Sequence, residues 1–336
     1  MRDAHGTMLR FSAFASRVAV AVMFAAAMFG CRKPAVTPLP NPAAQGMSSA
    51  RNSGTSEGSN SSLKKRCDDG SADACGTLGY RYDMGEGVEI DDPRAMALYL
   101  RACEGGAAWG CNNAGYLHQY GEAGPADFAE AIRLYTLGCD AGQNMGCTNL
   151  GYMHELALGT EQSFSRAREL YTKACDAQDP AGCSNLGLIY RHGNGVEVDL
   201  ERALGLFRQS CDAGQAGGCS KLGWMYYDGA GVAEDNQLAF DLFVQACAGD
   251  YAAGCTQHGW MSEVGEGVPV DHDAAVAAYR RSCDLGDAEG CTFLGQVYKK
   301  GRGVQVDLVR AAALYTQGCD GGNGRGCANL GEFYEY

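Results

Sequence analysis

Sixteen of the 17 cysteines stand on one ruler of 36 residues. Cys67, Cys103, Cys139, Cys175, Cys211, Cys247, Cys283 and Cys319 repeat at that period without a slip. Cys75, Cys111, Cys147, Cys183, Cys219, Cys255, Cys291 and Cys327 each follow their partner by eight residues. A fixed period of this length marks a stacked-repeat protein, in which each unit buries its apolar face against its neighbours. The chain is therefore expected to be an array of one unit over residues 63–336. Any specific site must lie in what differs between copies.

Within a unit, Cys is followed by Leu at +3, Gly at +4 and Tyr at +7, as in Cys183, Leu186, Gly187 and Tyr190. That i, i+3, i+4, i+7 stripe is the buried face of a helix. Glycine lowers helix stability, yet all eight copies carry it at +4, which points to close approach by another helix. A Gly-x-Gly-Val breaker follows, as at Gly193–Val196 and Gly301–Val304, and such glycines end a helix and turn the chain. Asp91, Asp127, Ser163, Asp199, Asp235, Asp271 and Asp307 then stand where a second helix needs an N-cap. That helix carries a fixed alanine (Ala95 to Ala311) and a Leu-Tyr or Leu-Phe pair such as Leu98-Tyr99 or Leu206-Phe207. The expected fold is all-α: an α/α solenoid, or superhelix, of helix–turn–helix repeats. It should have seven full pairs and a final single helix at 324–336.

The eight-residue spacing says where the cysteines pair. In one straight helix such residues lie about 12 Å apart, and a disulfide needs Cα atoms within about 7 Å. The chain must turn between them, and Asp140-Ala141-Gly142 and Asp212-Ala213-Gly214 are turn formers. The expected bridges are Cys67–Cys75, Cys103–Cys111, Cys139–Cys147, Cys175–Cys183, Cys211–Cys219, Cys247–Cys255, Cys283–Cys291 and Cys319–Cys327. Each ties the second helix of one unit to the first helix of the next. The rival use of cysteine is metal binding, but structural zinc sites favour tighter ligand spacing, and no metal or other cofactor is expected.

The odd cysteine, Cys31, belongs to a different segment. Arg10 and Arg17 precede an apolar stretch from Val18 to Phe29, and Gly30 comes next. That is the layout of a secretory signal over residues 1–30, and Met28-Phe29-Gly30-Cys31 resembles a bacterial lipobox. The resemblance implies lipidation of Cys31 and an exported protein held at the bacterial cell envelope, on the periplasmic side or outer membrane. Ordinary signal cleavage with a secreted product is the alternative. Either route reaches an oxidising compartment where disulfides persist. Residues 31–62, rich in Pro, Ser, Asn, Ala and Gly, read as a flexible tether. The formal net charge of −13 argues against nucleic acid as a partner, because phosphate binding needs a basic face.

The pattern Leu-Gly-x-x-Tyr-x-x-Gly-x-Gly-Val-x-x-Asp-x-x-x-Ala-x-x-Leu-Tyr, assembled from these copies, resembles the Sel-one-like repeat (SLR), a relative of the tetratricopeptide repeat. The Cys-x7-Cys frame looks like that of the secreted, cysteine-rich Hcp family. The resemblance implies two functions. Members of that family are described as penicillin-binding proteins or β-lactamases, whereas SLR proteins in general assemble other proteins. A serine β-lactamase needs a nucleophile beside a base. The matching spacings are Ser61-x-x-Lys64 and Ser62-x-x-Lys65, where the tether meets the array, and no catalytic residue is assigned from them. A groove that binds a protein or peptide partner is the better-supported reading. Positions +1, +2, +5, +8 and +9 of the first helix lie off the buried stripe. They carry Asn112, Asn113, Tyr116, Asn149, Tyr152, Asn185, Trp224 and Trp260, with Gln119, Glu155, Arg191, Lys221, Tyr227 and Glu263 beside them. Asparagine offers both donor and acceptor to a peptide backbone, and aromatics add contact area at low entropy cost.

Overall fold

The computed structural model describes residues 59–334. Residues 1–30, read from the sequence as a signal, Cys31, and the stretch up to residue 58 read as tether lie outside them. Sixteen helices and no strand are present among the described residues. A leading helix, α1 (Asn60–Asp68), precedes seven pairs. The pairs are α2–α3 (Ala72–Met84, Asp92–Glu104), α4–α5 (Ala108–Tyr120, Phe128–Asp140), α6–α7 (Asn144–Glu155, Phe164–Asp176), α8–α9 (Pro180–His192, Leu200–Asp212), α10–α11 (Ala216–Tyr227, Asn236–Ala248), α12–α13 (Ala252–Val264, His272–Asp284) and α14–α15 (Ala288–Lys300, Leu308–Asp320). A single helix, α16 (Gly324–Tyr334), closes the array. The fold is the all-α solenoid read from the sequence.

The array starts earlier than residue 63. Helix α1 takes in Asn60–Ser62, which the sequence reading gave to the tether. Ser59 caps it by accepting from the Ser62 amide. Asn60 then fixes the helix to the first unit, donating to the Gly87 carbonyl at 3.1 Å and accepting from Arg81 at 2.7 Å.

The helix ends are set by the residues the sequence offers. Asp91, Asp127, Ser163, Asp199, Asp235, Asp271 and Asp307 each accept from a backbone amide in the first turn of a second helix, so one otherwise unpaired N–H is satisfied. Gly193, at φ 69°, ends α8 in the left-handed conformation that glycine adopts without strain. All eight bridges form between neighbouring cysteines as expected, with Cα–Cα distances of 4.4–4.6 Å.

The core lies between the helices of each unit and continues into the next. The fixed alanines and the aromatic of the Leu-Tyr or Leu-Phe pair are fully buried. The glycine at +4 is needed because that aromatic lies on it: a Cβ at Gly151 would stand 2.7 Å from the Tyr171 ring, and one at Gly187 2.6 Å from Phe207. From α4 onward, the first helices of successive units also touch one another, while the second helices of successive units are held further apart.

Candidate partner-binding face

The first-helix surface is stitched by a repeated polar contact. In four units the buried tyrosine of the second helix sends its hydroxyl to the +8 residue of the first helix of the same unit, whereas the buried Tyr315 hydroxyl has no hydrogen-bond partner. Tyr99 donates to Asp83 at 2.9 Å, Tyr135 to Gln119 at 2.7 Å, Tyr171 to Glu155 at 2.7 Å and Tyr279 to Glu263 at 2.9 Å. The +2 asparagines of the next first helices, Asn113 and Asn185, act on the Tyr99 and Tyr171 hydroxyls in the lowering direction, against the larger effect of burial. Burial and the neighbouring carboxylate hold the Tyr99 and Tyr171 hydroxyls protonated far above the usual phenol range. Burial also raises Asp83, against the lowering effect of its bond from Tyr99.

Two copies lack the hydroxyl. Phe207 and Phe243 occupy the tyrosine position, with their rings packed on Gly187 and Gly223 in the same way. Residues 155, 171 and 185 correspond, one period on, to Arg191, Phe207 and Lys221. There the +8 residue, Arg191, turns to Asp228, with Nη2 3.1 Å from Oδ2. Lys221 donates to the Gly217 carbonyl at 3.3 Å and sits 5.9 Å from the Tyr251 ring centre. Burial alone pushes its pKa down to about 8. At the next copy, Tyr227 joins the two tryptophans. Its ring lies 5.5 Å from Trp224 and 6.0 Å from Trp260, and Trp224 packs edge-on against Phe243 at 5.4 Å.

The residues singled out from sequence therefore fall into two clusters and one link. Near the front, Asn149 donates to Asn112 at 2.9 Å and Asn112 to Asn113 at 3.2 Å, so a ladder of amides crosses from α4 to α6. The Tyr116 ring lies 4.5 Å from that of Tyr120, tilted by 43°, and burial lifts its hydroxyl to about 12. Tyr152 is exposed. Further along, Trp224 and Trp260 meet through Tyr227. Asn185, half-buried on α8, lies between the clusters in chain order.

Asn112 corrects the sequence reading. It is 4% exposed and works within the amide ladder rather than lining an open surface. The +1 position is buried throughout the middle of the array, at Thr148, Ser184, Ser220, Thr256 and Thr292. It faces the turn that follows the next bridge-forming helix: Thr148 and Thr256 donate to Asp179 and Asp287, which cap α8 and α14. Small polar residues recur at +1 in the sequence, and that recurrence was the available signal. Among the described residues no group of three or more His, Cys, Asp or Glu is placed to hold a metal. None of their helices is long and apolar enough to cross a membrane.

Comparison with known proteins places the chain. The Sel1 repeat matches residues 72–106, 110–143, 144–179, 180–215, 216–251, 252–287 and 288–323. The chain belongs to the Sel1 repeat family. Repeats of this family generally serve as protein–protein interaction scaffolds. Among solved structures, a Sel1 repeat protein from Oxalobacter formigenes is 23% identical over 81% of this chain and 79% of its own, with a TM-score of 0.64. A protective antigen present in uropathogenic Escherichia coli strains, displaying an SLR fold, is 24% identical over 83% of this chain, with a TM-score of 0.62. This chain spans 60% of that antigen's length. Helicobacter pylori cysteine rich protein B is 26% identical over 40% of this chain and 96% of its own, with a TM-score of 0.34. No curated protein matches.

Proposed function

We propose that this Sel1 repeat protein is an exported, lipid-anchored scaffold that captures a protein or peptide along the face formed by its first helices. The observation that carries this reading is the run of half-buried or exposed amides and aromatics on consecutive first helices: Asn113, Tyr116, Asn149, Tyr152, Asn185, Trp224 and Trp260. Contact between successive first helices, with the second helices held further apart, supports a stack curved toward that face. Curved stacks of this kind present extended concave binding surfaces. Eight bridges fit an oxidising, exported setting, and Cys31 supplies the residue for an anchor.

The β-lactam role implied by the cysteine-rich relatives is not proposed. Ser61 and Ser62 are exposed on α1, and Lys64 is ion-paired with Asp68 at 3.1 Å. Neither Ser-x-x-Lys spacing combines a shielded serine with an available amine. Partner capture by crosslinking in the native envelope tests the scaffold reading, comparing the wild type with a Trp224→Ala, Trp260→Ala variant. Aromatic anchors at an interface contribute about 2 kcal/mol or more each, so the variant should lose capture while keeping its helicity and bridges.

A further inference from the structure

From Gly79 to Gly295, a Cβ at the +4 glycine of a first helix would stand 2.6–3.1 Å from the tyrosine or phenylalanine ring of the same unit. The eighth such glycine, Gly331 on α16, has nothing within 4 Å. Other residues of α16 show the same opening. Cys327 is exposed, whereas Cys75 and its equivalents through Cys291 are buried. Leu330 is half-buried, whereas Leu150, Leu186, Leu222 and Leu294 at the same +3 place are buried. Each of the other first helices packs more extensively against its own second helix than against the one before it. Among the described residues α16 has only the lesser of these two contacts, with α15. Glycine within a helix lowers its stability. Close packing of a ring offsets this at seven copies, and nothing does so at Gly331 among the described residues.

The seven filled copies define what fits such a face. The second helix supplies a buried alanine and, four residues on, the ring, as in Ala95 and Tyr99 or Ala203 and Phe207. In three copies the residue before that alanine is an arginine lying over the +7 tyrosine of the first helix: Arg94 on Tyr82 at 4.8 Å, Arg202 on Tyr190 at 4.2 Å and Arg310 on Tyr298 at 4.5 Å. By sequence, α16 leads on to tyrosine at +7 (Tyr334) and an acid at +8 (Glu335), the pattern of first helices that receive such a partner. A second copy of this chain does not offer that helix. Its alanine-and-ring helices are seated on their own glycines. Helix α1 carries Ser62 and Leu63 where α3 carries Leu98 and Tyr99. Ser62 is exposed, and Leu63 is already buried within its own array. The fitting helix therefore belongs to another protein. Amphipathic helices that lay spaced apolar anchors into a groove are a recurring mode of recognition, and a buried aromatic ring is a large part of such a contact.

We infer that the open side of α16 is a second docking surface, separate from the first-helix face: it receives an amphipathic helix of a partner protein that carries alanine and, four residues on, tyrosine or phenylalanine, with the ring seated on Gly331.

The probe is a synthetic peptide with the sequence of α15 and its cap, Asp307–Asp320 with Cys319→Ser. A hydrocarbon staple in place of Ala313 and Gln317, both exposed on α15, holds it helical. Hydrogen exchange by mass spectrometry reads the disulfide-intact full chain with and without the probe. At about ten times its Kd the probe should slow exchange in α16 about tenfold and leave α2 unchanged. The same peptide with Tyr315→Ala should lose this effect. Gly331→Leu is the decisive variant, because a side chain there meets open space in the free protein and takes the ring's place in the complex. It should keep all its bridges and protect α16 at least as well as the wild type does, yet gain nothing from the probe. No slowing in the wild type at roughly millimolar probe, near the weak end of specific binding, overturns the inference, and so does equal slowing in Gly331→Leu. Altered exchange in α14 rather than α16 would mean that the probe displaces α15 and that the open side of α16 is not its site. Wild-type self-association in sedimentation, lost in Gly331→Leu, would make the occupant a second copy and overturn the choice of partner.

Discussion

Lys221 carries a cost in stability because its ammonium is held in a buried setting. Its pKa is held near 8, below the roughly 10.4 of an unfolded lysine. Below pH 8 it is charged in both states, and the folded state bears the full desolvation penalty. Between about 8 and 10 the unfolded chain binds more protons, so this group makes stability rise with pH. Above about 10 the buried tyrosines reverse the trend, since their raised pKa values keep them protonated in the folded state only. Lys221→Met should therefore raise stability at pH 7 by roughly 1–3 kcal/mol, discounted for the solvent that the ammonium still reaches, and flatten the rise above pH 8. Denaturant melts of wild type and variant at pH 7 and 9 read both effects. A variant less stable at pH 7 would show that the ammonium has a counter-charge after all. Much at this scale was legible beforehand. The capping residues follow from side-chain chemistry. The tyrosine stitch was not legible, because it joins residues 16 positions apart on two helices and no single helix's periodicity displays it. Asn112 was misplaced for a related reason: one helix's pattern does not show that +1 faces the neighbouring unit.

Among the elements, each bridge acts where the array is thinnest, at the turn from one unit to the next. Closing an eight-residue loop contributes about 2.5 kcal/mol in the chain-entropy model. Cys175→Ser with Cys183→Ser should open the α7–α8 junction by about that amount and leave distant helices unaffected, because units in a solenoid contact only near neighbours. Hydrogen exchange by mass spectrometry checks this: protection should fall in α7 and α8 and persist in α2 and α14. Uniform loss of protection would mean that the array unfolds as one block. The pairing was readable from sequence because helix rise forbids an eight-residue bridge within one straight helix. The start of α1 was not, since Asn60 is drawn into the array by Gly87 and Arg81, more than 20 residues away.

For the whole molecule, the proposed anchor at Cys31 lies ahead of the proposed binding face in the chain. Cys31→Ser should move the protein from the membrane fraction to the soluble fraction, as a single lipid-bearing residue demands. Wild-type protein that is already soluble would show that Cys31 bears no anchor. The central claim is that the first-helix face, rather than the outer surface of the second helices, meets the partner. A photo-reactive amino acid placed at Tyr152, exposed on α6, or at Val309, 85% exposed on α15, tests it most directly in the native envelope. Position 152 should yield a discrete crosslinked species that is lost when Trp224 and Trp260 are both alanine, and position 309 should yield none. Equal capture from both positions, or capture from 309 alone, would contradict it.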